Sequence, residues 1–456
     1  MIRRTSEQPS FKKAFSFLFA TVSLCLAQPA PGRIEWFQDQ KFGLFLHWGA
    51  YSQMGCIESW PLVWADRSWS NPVIQTREQM VEFRQRYWAL NRTFNPTEFD
   101  PVAWAAAAKR AGMKYVMFTT KHHDGFNMYD TRLTDYKVTG PNCPFSKDSR
   151  ADVAKQIFEA FRHQGFAVGA YYSKADWHSP YYWKPGIFPE DRDPNYEVTQ
   201  EPERWQKFVQ FVHGQIEELM TRYGRIDILW LDAGQVKPPK QDIQMDRMVG
   251  MARRHQSHLI VVNRTAKDRY EDYRTPEQEV PEKPLDYPWE SCLTMGKQWS
   301  YKPDDEYKSA RTLIHLLVDI VAKGGNLLLN IGPQPDGKLP PVALSRLKEI
   351  GDWMAVNAEA IHGTRPIAPY KEGRVAFTSR GKTIYAIYLA EEGAEAPPAN
   401  IILRGLRPGR GSQLRMLGVT DPLKWQEREG GVEVEVPSEV VKSPPSKHAF
   451  VMTFTQ

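Results

Sequence analysis

Between residues 33 and 363, short apolar runs alternate with longer amphipathic stretches, and this alternation restricts the possible folds more than any other feature of the chain. Parallel strands cannot be joined by tight turns. Each needs a crossover, usually a helix, so strand-like and helix-like segments must take turns along the sequence. The strand-like runs fall at 42–47, 114–120, 166–173, 227–232, 259–263, 287–290 and 326–331. Helical periodicity occupies 101–110, 151–164, 201–223, 241–256 and 305–323, and 340–361 reads as a closing helix. Seven strand candidates fit an α/β chain built as a (β/α)8-type barrel over 33–363, irregular where one strand is missed, better than an open sheet. From about residue 370 the texture changes. Short β-type runs at 374–379, 383–389, 400–403, 413–417, 431–436 and 450–455 are divided by Gly, Pro and charged turns. They predict a C-terminal antiparallel β-sandwich over 370–456. A length of 456 residues leaves room for both units.

Arg3, Arg4, Lys12 and Lys13 precede an apolar stretch at 14–27, and Pro29, Pro31 and Gly32 then break it. This is the layout of a signal peptide over 1–27, cut near Ala27, and it predicts an exported protein: periplasmic, secreted or lysosome-like according to the host. The stretch is too short for a comfortable membrane span, so stable membrane insertion is not expected. Without the leader, Cys56, Cys143 and Cys292 remain, an odd number with no zinc-type spacing. A net charge of +5 comes without a basic block, which gives no reason to expect nucleic acid as a partner. Aromatic residues make up 12%, and flat aromatic faces pack well against sugar rings.

Several apolar runs end abruptly in residues able to do chemistry. His47, His122, His123, Tyr171, Asp232, Arg264 and Glu290 all sit at or just past such ends. In a barrel of this type the C-terminal strand ends converge on one face, so these groups would share a pocket. Any single one reads as an ordinary satisfied polar residue; together they read as a site. Asp232 and Glu290 each emerge beside an indole, Trp230 and Trp289. Two carboxylates in such a pocket suit glycosidic bond cleavage, with Asp232 as nucleophile and Glu290 as acid/base. Trp48, Trp60, Trp230 and Trp299 are candidate stacking platforms. A metal among His47, His122 and His123 is disfavoured, because adjacent residues of a strand point to opposite faces. The glycines at 324–325 follow a helix and precede a strand, the reverse of a phosphate loop.

KFGLFLHWG (41–49), FNPTEFD (94–100), AGMKY (111–115), KHHDGF (121–126), YYS (171–173) with DWH (176–178), WLD (230–232), WESC (289–292), WSY (299–301) and KGGNLLLNIGP (323–333) with DG (336–337) occur in this order. Together they resemble the α-L-fucosidases of glycoside hydrolase family 29. The resemblance implies a retaining, exo-acting hydrolase that removes terminal α-L-fucose from fucosylated oligosaccharides or glycoconjugates, with no metal or cofactor. Position by position, it implies Asp232 as nucleophile and Glu290 as the best match to the acid/base, with Glu58 in reserve. It places His47, His122, His123, Tyr171, Trp230 and Arg264 in the fucose pocket, near Trp60 and Trp299. Ala233 departs from the glycine that often follows the nucleophile in the family. Another exo-glycosidase of the same fold, or a secreted carbohydrate-binding protein without turnover, are the alternatives.

Overall fold

The computed structural model describes residues 29–456, so the leader expected at 1–27 lies outside the described residues. Seven parallel strands form one sheet: β1 (Phe42–Leu46), β2 (Tyr115–Lys121), β3 (Ala167–Ser173), β4 (Ile228–Asp232), β5 (Ile260–Asn263), β6 (Glu290–Thr294) and β7 (Asn326–Ile331). Their spatial order is β5-β4-β3-β2-β1-β7-β6. Every residue of these strands is buried except Asp232, as expected of strands covered on both faces. Helices Pro101–Arg110, Val153–His163, Pro202–Arg222, Met245–His255, Ala310–Ala322 and Pro341–Asn357 supply the predicted crossovers. Asp100, Asp152 and Ser309 cap three of them by accepting the N3 amide.

The missing eighth position lies between β5 and β6. There an irregular extended segment is bonded to both neighbours. Asn263 N donates to Tyr270 O at 2.9 Å and Asp272 N to Val261 O at 3.0 Å, while Glu290 N donates to Arg274 O at 2.9 Å and Cys292 N to Pro276 O at 3.0 Å. The segment is polar and carries a proline, which has no N–H to give a ladder, so it has no strand signature in sequence.

The run expected at 287–290 is displaced. β6 begins at Glu290, pairing Ser291 with Leu327 and Cys292 with Leu328, so Glu290 opens the strand instead of closing it. Two further helices of eight or more residues lie outside the expected elements: Arg77–Trp88, with a Thr76/Gln79 capping box, in the long β1–β2 connection, and Arg33–Gln40, which stoppers the N-terminal end of the barrel. There Phe37 stacks on Tyr273 at 4.1 Å, and Asn326 Nδ2 donates to the Phe37 carbonyl at 2.7 Å.

The C-terminal region forms two antiparallel sheets. β8 (Arg365–Glu372), β9 (Val375–Arg380), β10 (Thr383–Leu389), β12 (Arg415–Met416) and β15 (Ala449–Thr455) make one; β11 (Asn400–Arg404), β13 (Lys424–Arg428) and β14 (Gly431–Glu435) make the other. Phe377, Leu403, Val432, Val434 and Met452 are among the apolar side chains buried together between them. The larger sheet is tied to the barrel by Trp353 Nε1 donating to Ala449 O at 2.9 Å and by His315 Nε2 at 2.8 Å from His448 O.

Candidate active site

The C-terminal strand ends enclose a cavity of about 490 Å³, a volume suited to a small ligand. Phe45 and His47 reach it from β1, His122 and His123 from the end of β2, Tyr171 from β3, and Trp230 and Asp232 from β4. Arg264 follows β5, Glu277 comes from the irregular segment, Cys292 from β6 and Trp299 from the loop beyond it. Glu58 and Trp60 enter from the β1–β2 connection.

Asp232 is the electrostatic centre. Its Oδ2 accepts from the Tyr171 hydroxyl at 2.7 Å, and its Oδ1 from Arg264 Nη1 at 3.0 Å. Burial alone would raise its pKa, but the Arg264 charge, His123 and the Tyr171 hydroxyl outweigh it and hold the carboxyl well below the usual range. The other terminal nitrogen of the same guanidinium binds Glu277. One planar fork therefore carries both carboxylates.

The backbone is strained next to each of these three charges. Ala233 (φ 64), Thr265 (φ 59) and Gln278 (φ 52) lie in the left-handed region directly after Asp232, Arg264 and Glu277. Such conformations cost of order 1–3 kcal/mol each and cluster at functional sites. Gly234 completes the first of these turns, because a Cβ there would sit 1.8 Å from Thr265 Oγ1.

The three histidines are neutral, and the tautomers of two of them are fixed from behind. Asn330 donates through Nδ2 to Trp299 O at 2.7 Å, so its Oδ1 accepts from His47 Nδ1–H, also at 2.7 Å. Ser173 donates to Ala175 O at 2.7 Å and so accepts from His123 Nδ1–H at 2.6 Å. Ser59 accepts the Asp124 amide and lies 2.5 Å from His122 Nδ1. The Nε2 atoms of His47 and His123 are thus both acceptors. Burial pushes His47 down to about 3 and His123 to about 4, and drives His122 well below its usual value.

Strand alternation does not separate His122 from His123 as expected. β2 ends at Lys121 after a register shift, the chain turns, and the two rings lie 4.2 Å apart. Ligand atoms of His122, His123 and Asp232 fall within 4.8 Å of one another, so geometry would admit a cation. Electrostatics opposes one, because the Arg264 guanidinium already occupies the only carboxylate of that set.

Glu290 is where the sequence reading fails. It is fully buried at the N-terminal end of the barrel, does not line the cavity, and accepts from the Tyr115 hydroxyl at 2.6 Å and the Tyr273 hydroxyl at 3.2 Å. Burial raises its pKa to about 7, with the two hydroxyls opposing. It does not face Asp232 across the hollow, and the acid/base role expected of it has no geometric support. Trp48 also stays out of the cavity; it packs on Phe94, Phe99 and Trp104 and donates to Gln334 O at 3.1 Å. The other expected residues, His47, Glu58, Trp60, His122, His123, Tyr171, Trp230, Asp232, Arg264 and Trp299, all line it. Glu58 is 2% exposed, accepts from the Ser300 amide at 3.2 Å, and is raised by burial to about 8.

A barrel whose strand ends gather two acidic side chains on one arginine, three neutral imidazoles and several aromatic faces defines a carbohydrate-cleaving enzyme, a glycoside hydrolase. Residues 27–359 match the sequence model of the family described as Alpha-L-fucosidase. Tissue α-L-fucosidase of Bos taurus is 28% identical over 423 residues, 88% of this chain and 82% of that protein, and the Homo sapiens tissue enzyme is 27% identical, covering 94% and 90%. Among solved structures, α-L-fucosidase isoenzyme 1 from Paenibacillus thiaminolyticus superposes with a TM-score of 0.76 at 31% identity, covering 93% of this chain and 98% of that one. The Thermotoga maritima α-fucosidase with a mechanism-based inhibitor gives 0.73 at 26% identity, covering 92% and 96%. The chain belongs to the α-L-fucosidases, glycoside hydrolase family 29, and is an α-L-fucosidase by activity.

Proposed function

We propose that the enzyme removes terminal fucose with retention of configuration, Asp232 acting as nucleophile and Glu277 as acid/base. The observation that carries this reading is the single guanidinium of Arg264 holding both carboxylates. Retaining glycosidases keep their two carboxyl groups about 5 to 5.5 Å apart, whereas inverting ones leave about 6.5 to 9.5 Å for a water, and one fork favours the shorter gap. In the first step the Asp232 carboxylate bonds to the anomeric carbon while Glu277 gives its proton to the departing glycosidic oxygen. In the second, Glu277 takes a proton from water, and the resulting hydroxide displaces Asp232 to release fucose. Glu277 suits proton delivery to a leaving group because its side chain is 42% exposed at the mouth, where the aglycone departs; Glu58 lies buried. Glu58, held protonated, donates to a sugar hydroxyl instead.

The enclosed cavity fits one sugar, which supports exo action on terminal residues of fucosylated glycans. The apolar leader supports export. No helix among the described residues is long and apolar enough to cross a membrane. The deciding experiment uses 4-nitrophenyl α-L-fucoside. Asp232→Ala should lose at least about 10⁴-fold in kcat, a fraction of the 10⁶–10¹⁷ that enzymes contribute, and azide should restore turnover as a fucosyl azide of inverted configuration. Glu277→Gln should lose about 10²–10⁴-fold on poorly activated leaving groups and far less on the nitrophenyl substrate. Equal losses on both substrates would move the acid/base role to Glu58.

A further inference from the structure

A second cavity, of about 460 Å³, opens on the same face of the barrel, outside the catalytic one. Its walls are the helix Arg77–Trp88 and the turn after it, the connection at 134–142 beyond β2, and His178 beyond β3. One side is aromatic: the His178 ring stacks on Tyr136 at 3.9 Å, and Trp88 meets His178 edge-on at 5.8 Å. The rest is polar. The side chains of Gln85, Arg92, Asp135 and Asn142 line it without a hydrogen bond or ion pair to any described residue. Asn91, only 6% exposed as a residue, also lines the cavity and bonds to no described residue through its amide, whose polar atoms are open to the cavity.

The geometry points to a second carbohydrate site that takes a neutral hexose unit of a glycan, distinct from the fucose pocket. Arg92 and Asp135 balance in charge, so neither an anion nor a cation is favoured. Amides, a guanidinium and a carboxylate offer donors and acceptors together, which suits hydroxyls that both donate and accept, and the ring faces suit the C–H side of a sugar. An apolar trough floored by Trp177, Trp183 and Phe188 shares Gln85, Trp88 and His178 with this cavity and extends it. Trp177 in turn lies 5.1 Å from His123 of the catalytic cavity, so the two sites back onto one wall.

The proposal rests on the enzyme acting on glycans, not on the roles given to Asp232 or Glu277. Its test titrates the full-length protein with lacto-N-tetraose and cellotetraose, neither of which contains fucose, while saturating L-fucose fills the catalytic cavity. At least one probe should bind, and the triple variant Arg92→Ala, Asp135→Ala, Asn142→Ala should weaken that binding at least tenfold. Asn91→Ala should do the same. Turnover of 4-nitrophenyl α-L-fucoside by both variants should stay at the wild-type value, which also verifies folding. If the site holds the chain that carries the fucose, KM for a long fucosylated oligosaccharide should rise severalfold in the triple variant; an unchanged KM with lost binding assigns the site to a separate glycan chain. Binding of neither probe, displacement of the probe by L-fucose, or undiminished binding by the variants would each overturn the proposal. A wild-type protein inert toward the nitrophenyl fucoside would count against the catalytic assignment alone, because the titration does not depend on turnover.

Discussion

Ala233 and Glu290 show how much a single position can carry. An L-residue in the left-handed region costs roughly 1–2 kcal/mol, and glycine gives back about 0.4–1 through its freer unfolded chain. Ala233→Gly should therefore stabilise the enzyme by about 0.5–1 kcal/mol, read by denaturant unfolding, with kcat within twofold of the wild type. Lower stability in that variant would mean that the methyl group packs rather than strains. Gly234→Ala should act in the opposite sense, because the added Cβ overlaps Thr265 and pushes apart the turns that hold Asp232 and Arg264. Glu290→Gln tests the correction at the barrel floor. An amide keeps an acceptor for one tyrosine and offers an N–H to the other hydroxyl, which can turn to accept it, so turnover should change less than threefold while Glu277→Gln loses orders of magnitude. Asp232, Arg264 and the histidines, which line the cavity, were legible in the sequence because each ends an apolar run. Glu277 was not, since it sits among Thr275, Pro276 and Gln278 with no apolar run to point at it. Glu290 misled because Tyr-Pro-Trp reads as the end of a strand when it leads into one.

Among the elements, strands with continuous apolar runs were found to within a residue or two, and β7 and the helix Pro101–Arg110 match their expected limits. Elements whose order comes from tertiary contacts left no trace. The segment that closes the ring is defined by hydrogen bonds to β5 and β6, and β8 and β13 pair in the sandwich from polar sequences. β7 shows what a strand does for chemistry. Leu327 and Leu329 join the main apolar core, while Asn330 holds the His47 ring and the Trp299 carbonyl at once. Asn330→Ala would strand both partners in a buried place, at about 1–3 kcal/mol per unsatisfied group. It should lower kcat/KM about 10- to 100-fold, most of it in KM if His47 serves to grip a hydroxyl. Asn330→Asp, which keeps the acceptor, should recover part of the loss; equal losses in both variants would mean that the His47 bond is not the cause.

At the scale of the molecule, the barrel buries ionisable groups of both kinds, and their shifts make stability depend on pH from two sides. His47 and His123 are depressed from 6.5 to about 3 and about 4, so the folded state refuses protons that the unfolded chain accepts. Their contribution is complete above pH 6.5 and is lost as pH falls toward those values. Glu58 and Asp124 are raised by burial, from 4.5 to about 8 and from 3.8 to about 7, so the folded state keeps protons that the unfolded chain releases. Their contribution is complete below the unfolded values and is lost as pH rises through the folded ones. The two slopes oppose each other between about 4.5 and 6.5, which predicts a broad plateau there. Above it Lys41, depressed by burial from 10.5 to about 7, works against the carboxyls, so the alkaline side is best read by difference. Glu58→Gln removes one carboxyl without removing its acceptor for the Ser300 amide. Its Tm should gain steadily on that of the wild type from pH 5 to pH 8, because only the wild type must hold a protonated acid against solvent. A gap that stays constant over this range would show that Glu58 ionises freely in the folded enzyme, and its assignment as a hydroxyl donor to the sugar would fall with it.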